Sequence, residues 1–463
     1  MQTRRDQLQA YRFVTRRIVS ALLSGEPETN ERPMRRYGLA VFGSAMIATI
    51  VFAVTGVIGF LFPSGAKLQD AAIVIERETG ARYIFIAGEL HPVLNFASAR
   101  LILGSDNPPI QRVSQRSLQG YPRGEAVGIP NLPDPLPAPS AIDTAPWSGC
   151  STRRSVGAVD LVTHLFVGSE PPGGQALGDR SLLVEHRQGD TRTRYLIANG
   201  QRFRITEASR TALGLSAARP IEVTQTIVAG IPPGPDLRAP SITDAGDDGP
   251  EIDGEPGKIG QIYVAADQHY VLLSNGLSPV GPVMRDLLLA KDPTVIPIPA
   301  AAAAAERSSS TIEPTGFPTS LPDLAFANRE PGMVCLVAGP ADAGAVGVVL
   351  HERRPPLDPP TGAPSTGPDG TQLADAIHMR GGRAAVVRLI PAPDDATPNT
   401  TTYLVTDQGI RHALPRVETA AVLSALGYGG IEPMGVPTHL LALLPVGPAL
   451  DPAEAGKPVD FQE

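Results

Sequence analysis

Cys150 and Cys335 are the only thiols in the chain, and the compartment they reach decides their chemistry. In an oxidising space they would pair; a metal or catalytic thiol role would need neighbouring Cys or His ligands, which their flanks lack. The segment nearest to a phosphate cradle is Gly254-Glu255-Pro256-Gly257-Lys258-Ile259. A P-loop needs clustered backbone N–H groups, a Lys and a hydroxyl for Mg²⁺. Here the leading glycine is missing and Ile259 replaces the hydroxyl. No G-x-S-x-G elbow occurs, and His351-Glu352 runs into Arg353-Arg354-Pro355 rather than completing a zinc helix. The other histidines (91, 164, 186, 269, 378, 412 and 439) are scattered singly. Asp244, Asp247, Asp248, Glu251, Asp253 and Glu255 form the densest carboxylate cluster, but their spacing departs from an EF-hand and reads as a solvated linker. No catalytic residue, metal or cofactor is expected.

The elements that would carry any function are clearer. With 463 residues, 47 Gly and 48 Pro, the chain is too long for one domain and too rich in turn formers for a helical bundle. Its net charge of −8 argues against nucleic acid. Residues 38–62 contain no charge, and as a helix they would span roughly 37 Å, enough for a hydrocarbon core. Residues 1–37 carry eight Arg against four acids, so positive-inside asymmetry leaves the N-terminus cytoplasmic and exports the rest. A cleaved signal peptide fits less well, because the apolar stretch is long and starts late. Export makes a Cys150–Cys335 disulfide the expectation.

Before the span, residues 5–23 place Leu8, Tyr11, Val14 or Thr15, Ile18 and Leu22 on one helical stripe. Arg12 and Arg16 lie on another face, with Arg4, Arg5 and Arg17 adding charge. Such a helix suits a partner or an anionic leaflet, with Ile18 and Leu22 as apolar anchors; a bare orientation signal is the alternative.

Beyond the span a pattern recurs four times: a Tyr strand, a Gly turn, then an apolar run of helical spacing. The copies begin at Tyr83 with Gly88, Tyr195 with Gly200, Tyr270 with Gly276, and Tyr403 with Gly409. A second strand precedes each, at 72–75, 182–185, 261–264 and 385–389, so each copy reads as a hairpin plus a short helix. One such unit buries too little to stand alone. The tyrosines lie 112, 75 and 133 residues apart, which disfavours a regular solenoid. Chance strand–helix passages are the alternative.

These readings divide the chain into a cytoplasmic helix and linker (1–37), a transmembrane helix (38–62) and repeat 1 (63–128). A Pro-rich connection with a core segment follows (129–175), then repeat 2 (176–242), an acidic linker (243–257) and repeat 3 (258–299). A second core segment with linkers (300–377), repeat 4 (378–430) and a core return with tail (431–463) complete it. The strand-like runs 333–337 and 346–350 belong to the core.

The opening Met1-Gln2-Thr3-Arg4-Arg5-Asp6-Gln7-Leu8-Gln9-Ala10-Tyr11-Arg12-Phe13 resembles the N-terminus of EccB, a membrane subunit of actinobacterial type VII (ESX) secretion systems. The resemblance continues through Arg16-Arg17, the single span, the cysteine pair and the Tyr/Gly repeats. It implies an α+β fold: one transmembrane helix, then an elongated extracytoplasmic region with a β-rich core and four repeat domains. It also implies partners, namely the FtsK/SpoIIIE-like motor EccC, the ubiquitin-like-domain protein EccD, EccE and the mycosin protease, in a homo-oligomeric membrane complex. Family members are sometimes called ATPases, a label without a nucleotide motif here. A structural channel subunit is therefore the leading reading; a tethered cell-wall-binding protein and an extracytoplasmic hydrolase are the alternatives.

Overall fold

A computed structural model describes residues 3–25, 33–61, 67–134, 136–155, 157–339, 346–390 and 401–459. Two compact units emerge: one holds the two N-terminal helices with the stretches 76–79 and 112–121, the other holds the remaining chain.

In the first unit, helix α1 (Arg4–Ser24) starts at a capping box, in which Thr3 and Asp6 satisfy each other's end groups, and stops at Gly25 in the left-handed region. Helix α2 (Pro33–Leu61) runs 29 residues, about 43 Å at 1.5 Å per residue. It starts earlier than the charge-free segment 38–62, so Arg35 and Arg36 lie within its first turn; Phe62 falls outside the described residues. Its spanning part, Tyr37–Val57, has a mean hydropathy of 2.1. Ser44, Thr49 and Thr55 return their hydroxyls to carbonyls three or four residues back (2.9, 2.8 and 2.7 Å), which removes the cost of polar groups in lipid.

The second unit is built from one central sheet and four equivalent modules. The central six-stranded sheet runs in the order Ala376–His378, Leu161–Phe166, Trp147–Arg153, Met333–Ala338, Val346–His351, Gln175–Ala176. Each module contains a three-stranded antiparallel meander, a helix and a fourth strand beside the first. In module 1 the strands are Ala72–Glu76, Arg82–Ile86, Glu89–Pro92 and Ile110–Val113. In module 2 they are Leu182–Gln188, Thr191–Ala198, Gln201–Ile205 and Ile221–Glu222. Ile262–Ala265, Gln268–Leu273, Gly276–Val280 and Val295–Pro297 form module 3, and Ala384–Ile390, Thr402–Thr406, Arg411–Ala413 and Met434–Pro437 form module 4. In modules 2 to 4 the fourth strand pairs parallel to the first, which the intervening helix makes possible.

Each copy thus has the expected hairpin and helix, extended by two further strands into a four-stranded unit. The third and fourth strands are two to five residues long and several carry Pro, His or Gly, so their local strand signal is weak. The helices, Phe96–Leu103, Glu207–Ala212, Pro282–Leu289 and Thr419–Ala425, fall on the apolar runs. Two further segments differ from expectation. The acidic stretch is a hairpin, Asp248–Ile252 with Glu255–Lys258, turned by Asp253-Gly254 at positive φ and steadied by Ile252 in a small core. The alanine run Ala300–Ala305 is a helix with Ala303 buried.

Each module is closed by a strap against its third strand. Leu90, Arg202, Leu277 and Arg411 each donate their N–H to a strap carbonyl: Pro122 (2.9 Å), Pro232 (2.9 Å), Glu306 (2.6 Å) and Pro445 (3.0 Å). Each carbonyl of these four residues accepts in return, from Gly124, Gly234, Ser308 and Gly447. For modules 3 and 4 the strap lies beyond the boundaries expected at 299 and 430. Three straps read Pro-x-Gly, and the glycine is steric: a Cβ at Gly234 would sit 2.4 Å from the Phe203 ring, and one at Gly447 would sit 2.4 Å from the His412 ring. In module 3 the corresponding strand residue is the small Ser278, and the strap carries Ser308. Gly234→Ala should therefore cost about 1–3 kcal/mol in thermal denaturation of the purified protein.

Candidate functional site

The central sheet is where the modules are joined. Cys150 and Cys335 occupy directly opposed positions on neighbouring antiparallel strands, with Cα atoms 4.0 Å apart, and are bonded. The bridge closes the excursion of 185 residues that carries modules 2 and 3. On the same face of the sheet lie His164, Phe166 and His378. The other face receives modules 2 and 4: Val334 and Leu336 join the core of module 2, while Trp147, Leu165 and Ile377 join that of module 4. Gly149 lies where the two modules meet the sheet, since a Cβ there would be 2.5 Å from Leu440 of module 4 and 2.8 Å from Thr226 of module 2.

Two module–module joints complete the arrangement. Ala97 and Leu101 of module 1 share a core with Val422, Leu423 and Leu426 of module 4. Arg100 reinforces it by donating to the Leu426 carbonyl at 2.7 Å, and the Tyr428 hydroxyl donates to Pro137 at 2.9 Å. Burial pushes that hydroxyl up to about 12, so it stays a donor at any working pH. Leu183, Leu196 and Phe203 of module 2 share another core with Val271, Met284 and Leu287 of module 3. The packing order is therefore module 1, module 4, sheet, module 2, module 3.

The four tyrosines occupy the same place, the middle strand of each meander, opposite Pro92, Arg204, Pro279 and Ala413. Arginines cover three of the rings: Arg123 on Tyr83 (4.5 Å), Arg202 on Tyr195 (5.9 Å) and Arg411 on Tyr403 (5.7 Å). Gly88 and Gly200 follow Ala87 and Asn199 in two-residue turns with positive φ throughout; Gly276 and Gly409 also have positive φ. The structure does not gather these residues into one pocket; they sit one set per module. The same holds for α1, where Arg4, Arg5, Arg12, Arg16 and Arg17 are all exposed, with Ile18 at 53% and Leu22 at 79% exposure. Arg17 lies over Phe13 at 5.5 Å.

A polar cavity of about 470 Å³ opens between the sheet and modules 2 and 4, lined among others by Thr163, Glu222, Thr226, Asp375 and His439. Its carboxylates are engaged. Glu222 faces Arg153 (3.7 Å) and Arg187 (3.3 Å), and Asp375 accepts the Thr163 N–H at 2.8 Å. Burial lowers His439 to about 4, so it is neutral near pH 7. Among the described residues no three His, Cys, Asp or Glu side chains converge as metal ligands. The arrangement offers joints rather than an acid–base pair. Sequence reasoning missed the straps, the module–module cores and the cavity; only the recurring Pro-x-Gly triplets, 122–124, 232–234 and 445–447, carried a readable signal for any of them.

Comparison with known proteins now places the architecture. The profile of the family described as "Type VII secretion system ESX-1, transport TM domain B" matches residues 1–460. The chain belongs to the EccB family. EccB3 of Mycolicibacterium smegmatis, called an ESX-3 secretion system ATPase, is 29% identical over 480 residues, covering 97% of this chain and 90% of its own. EccB1 of Mycobacterium tuberculosis, called an ESX-1 secretion system ATPase, is 26% identical over 466 residues, covering 97% and 93%. A chain in the structure of an intact ESX-5 inner membrane complex superimposes with a TM-score of 0.68 at 25% identity, covering 100% of this chain and 96% of its own. The EccB3 dimer from the ESX-3 core complex gives 0.66 at 26% identity, covering 83% and 99%.

The EccB fold makes a direct claim about its bridge. The chain-entropy argument assigns about 5 kcal/mol to a loop of 185 residues. Non-reducing peptide mapping should recover one fragment joining Cys150 to Cys335, and Cys150→Ser with Cys335→Ser should lower the melting temperature markedly. Two free thiols in the native protein would contradict the bridge.

Proposed function

We infer that this EccB-family chain is a structural subunit of a type VII secretion inner membrane complex, anchored by α2 and assembled through its exported modules. The observation that carries this reading is the full-length similarity to a chain within an intact ESX-5 inner membrane complex. The arginine-rich segment 1–37 supports a cytoplasmic N-terminus and an extracytoplasmic bulk. In this reading α1 docks on the cytoplasmic side through Ile18 and Leu22, with its arginines steering the approach. The partners would be an EccC-type FtsK/SpoIIIE motor, EccD, EccE and a mycosin protease. Self-association is supported by the dimer known for EccB3.

The relatives are named ATPases, but this sequence has no Walker A loop, and its closest approximation, 254–259, runs through a β-hairpin. The repeat tyrosines and glycines act as structural residues within each module, and hydrolysis belongs to a partner.

A mild-detergent pull-down of the tagged protein from its own membranes tests the reading. It should yield a megadalton-scale particle containing an FtsK-like ATPase and a multi-span protein; a monomer or simple homodimer would overturn it. Ile18→Asp combined with Leu22→Asp should release the subunit from that particle while leaving it in the membrane. The purified protein should turn over ATP no faster than buffer, and hydrolysis that a point substitution abolishes would refute the non-enzymatic assignment.

A further inference from the structure

We propose that His164 and His378 form an acid-sensitive latch holding the edge strand Ala376–His378, and the segment that crosses it, onto the central sheet. The pair lies on the disulfide face. His164 Nδ1 and His378 Nε2 are 2.9 Å apart, so one imidazole donates and the other accepts, which requires both facing nitrogens to share a single proton. The rings are nearly parallel, and His378 stacks on Phe166 with centroids 4.5 Å apart. Both residues are buried. His164 stands opposite Cys150 and His378 opposite Phe166, so the hydrogen bond crosses from the strand Leu161–Phe166 to the edge strand. Its ladder with Leu161–Phe166 has only three paired positions, and beyond it the strand is held by Ile377 in the core shared with module 4 and by the Val167 N–H on the His378 carbonyl at 2.9 Å.

The charges around the pair give it a direction. Arg354 lies over His164, 3.5 Å from Nε2, and is fixed there by donating to the carbonyls of Arg153 (3.4 Å) and Arg154 (3.0 Å). A proton on His164 Nε2 would set N–H against guanidinium. Asp358, from the same crossing segment, faces His378 and favours its charged form. Asp375 is occupied by the Thr163 N–H, and Arg380 donates to the Gly168 carbonyl. From the strand Val346–His351, burial lowers His351, against a backbone hydrogen bond with Pro172 that raises it. The cystine opposite His164 does not titrate. With Nε2 accepting from Arg354, His164 carries its proton on Nδ1, so a proton added to His378 Nε2 sets N–H against N–H or drives the His164 proton onto Nε2 against the guanidinium, and a proton added to His164 itself fills Nε2 and breaks the contact with Arg354.

Burial, His378 and Arg354 lower His164 to about 4, and burial lowers His378 as well. With folded values below the unfolded one, the closed state is fully favoured above about pH 6.5, and that advantage is lost as pH falls toward about 4. Opening would release the strand Ala376–His378 with the crossing segment 354–361, which is tied to it by the Thr361 N–H on the Ile377 carbonyl at 2.7 Å. The ladder of Leu161–Phe166 would then be bare, a surface to which another strand can add.

Hydrogen exchange of the full-length protein in detergent, corrected for the intrinsic pH effect, tests the latch. Between about pH 7.5 and pH 5, amides of residues 161–166 and 376–378 should lose protection about 20-fold from His164 alone, while those of 262–272 in module 3 hold. His164→Gln with His378→Gln should abolish this local pH dependence, whereas His412→Gln, which removes a buried histidine of module 4, should leave it intact. Unchanged protection in the native protein, or acid loosening that persists in the double variant, would overturn the proposal. If the double variant fails to fold, Arg354→Gln serves instead: removing the guanidinium should raise the pH at which loosening begins, and an unmoved midpoint would count against the latch.

Discussion

The pairing of Trp147–Arg153 with Met333–Ala338 is the constraint on which the architecture of the second unit depends. Two strands almost two hundred residues apart lie side by side over five paired positions, and the disulfide links the second of those pairs. Such a non-local contact carries a large loop-closure cost, which a covalent link offsets in the unfolded chain. Once the pair forms, its two faces sort the rest. Val334, Leu336 and Gly149 offer one side to modules 2 and 4, while the cystine and the stacked rings occupy the other. The chain leaves the sheet after Gln175–Ala176, builds modules 2 and 3, and returns; without the ladder those modules would be tethered only at the ends of long connections.

The modules show how a repeated unit diverges without losing its geometry. Every copy keeps the tyrosine in the middle strand and the strap against the third strand, yet the sequences share few residues. What persists is a steric rule. A ring at position 91, 203 or 412 requires glycine on the strap, and the small Ser278 allows Ser308. Polar pairing diverges in the same way: His91 and His412 each bond a strap carbonyl, whereas Phe203 in that position fills a core instead. Selection on such a unit acts on paired volumes more than on single residues.

What the sequence revealed follows from which interactions are local. The span 38–62, the helix 5–23 and the Tyr strands were legible, because each is written in the period of a contiguous segment. The cysteine pair was legible through the compartment. The third and fourth strands were not: Glu89–Pro92 lacks β-branched residues, Val295–Pro297 is only three residues long and ends in Pro, and both form because the first two strands offer them an edge. The acidic hairpin was hidden for a similar reason, since six carboxylates signal solvent while Ile252 and the left-handed Asp253-Gly254 turn decide the fold. The joints between modules were beyond reach, because Arg100 meeting Leu426 is a fact of tertiary packing with no local mark.

The polar groups point the same way as the packing. A hydrolase or transferase keeps at least one buried titratable group free to move a proton at working pH. Here the strongly placed charges are committed to structure. Asp143 binds Arg383 at 2.5 Å, tying the Pro-rich connection to module 4. Arg153 holds Glu330 with two bonds of 3.0 Å, which keeps the Glu330 carboxyl below its usual range and clamps the central strand to the segment that returns from module 3. Glu185 and Glu207 divide Arg194 between them within module 2. Each of these pairs fixes neighbouring parts of the chain to one another. Charge committed in this way fixes the sheet, its connections and the modules in one packed arrangement.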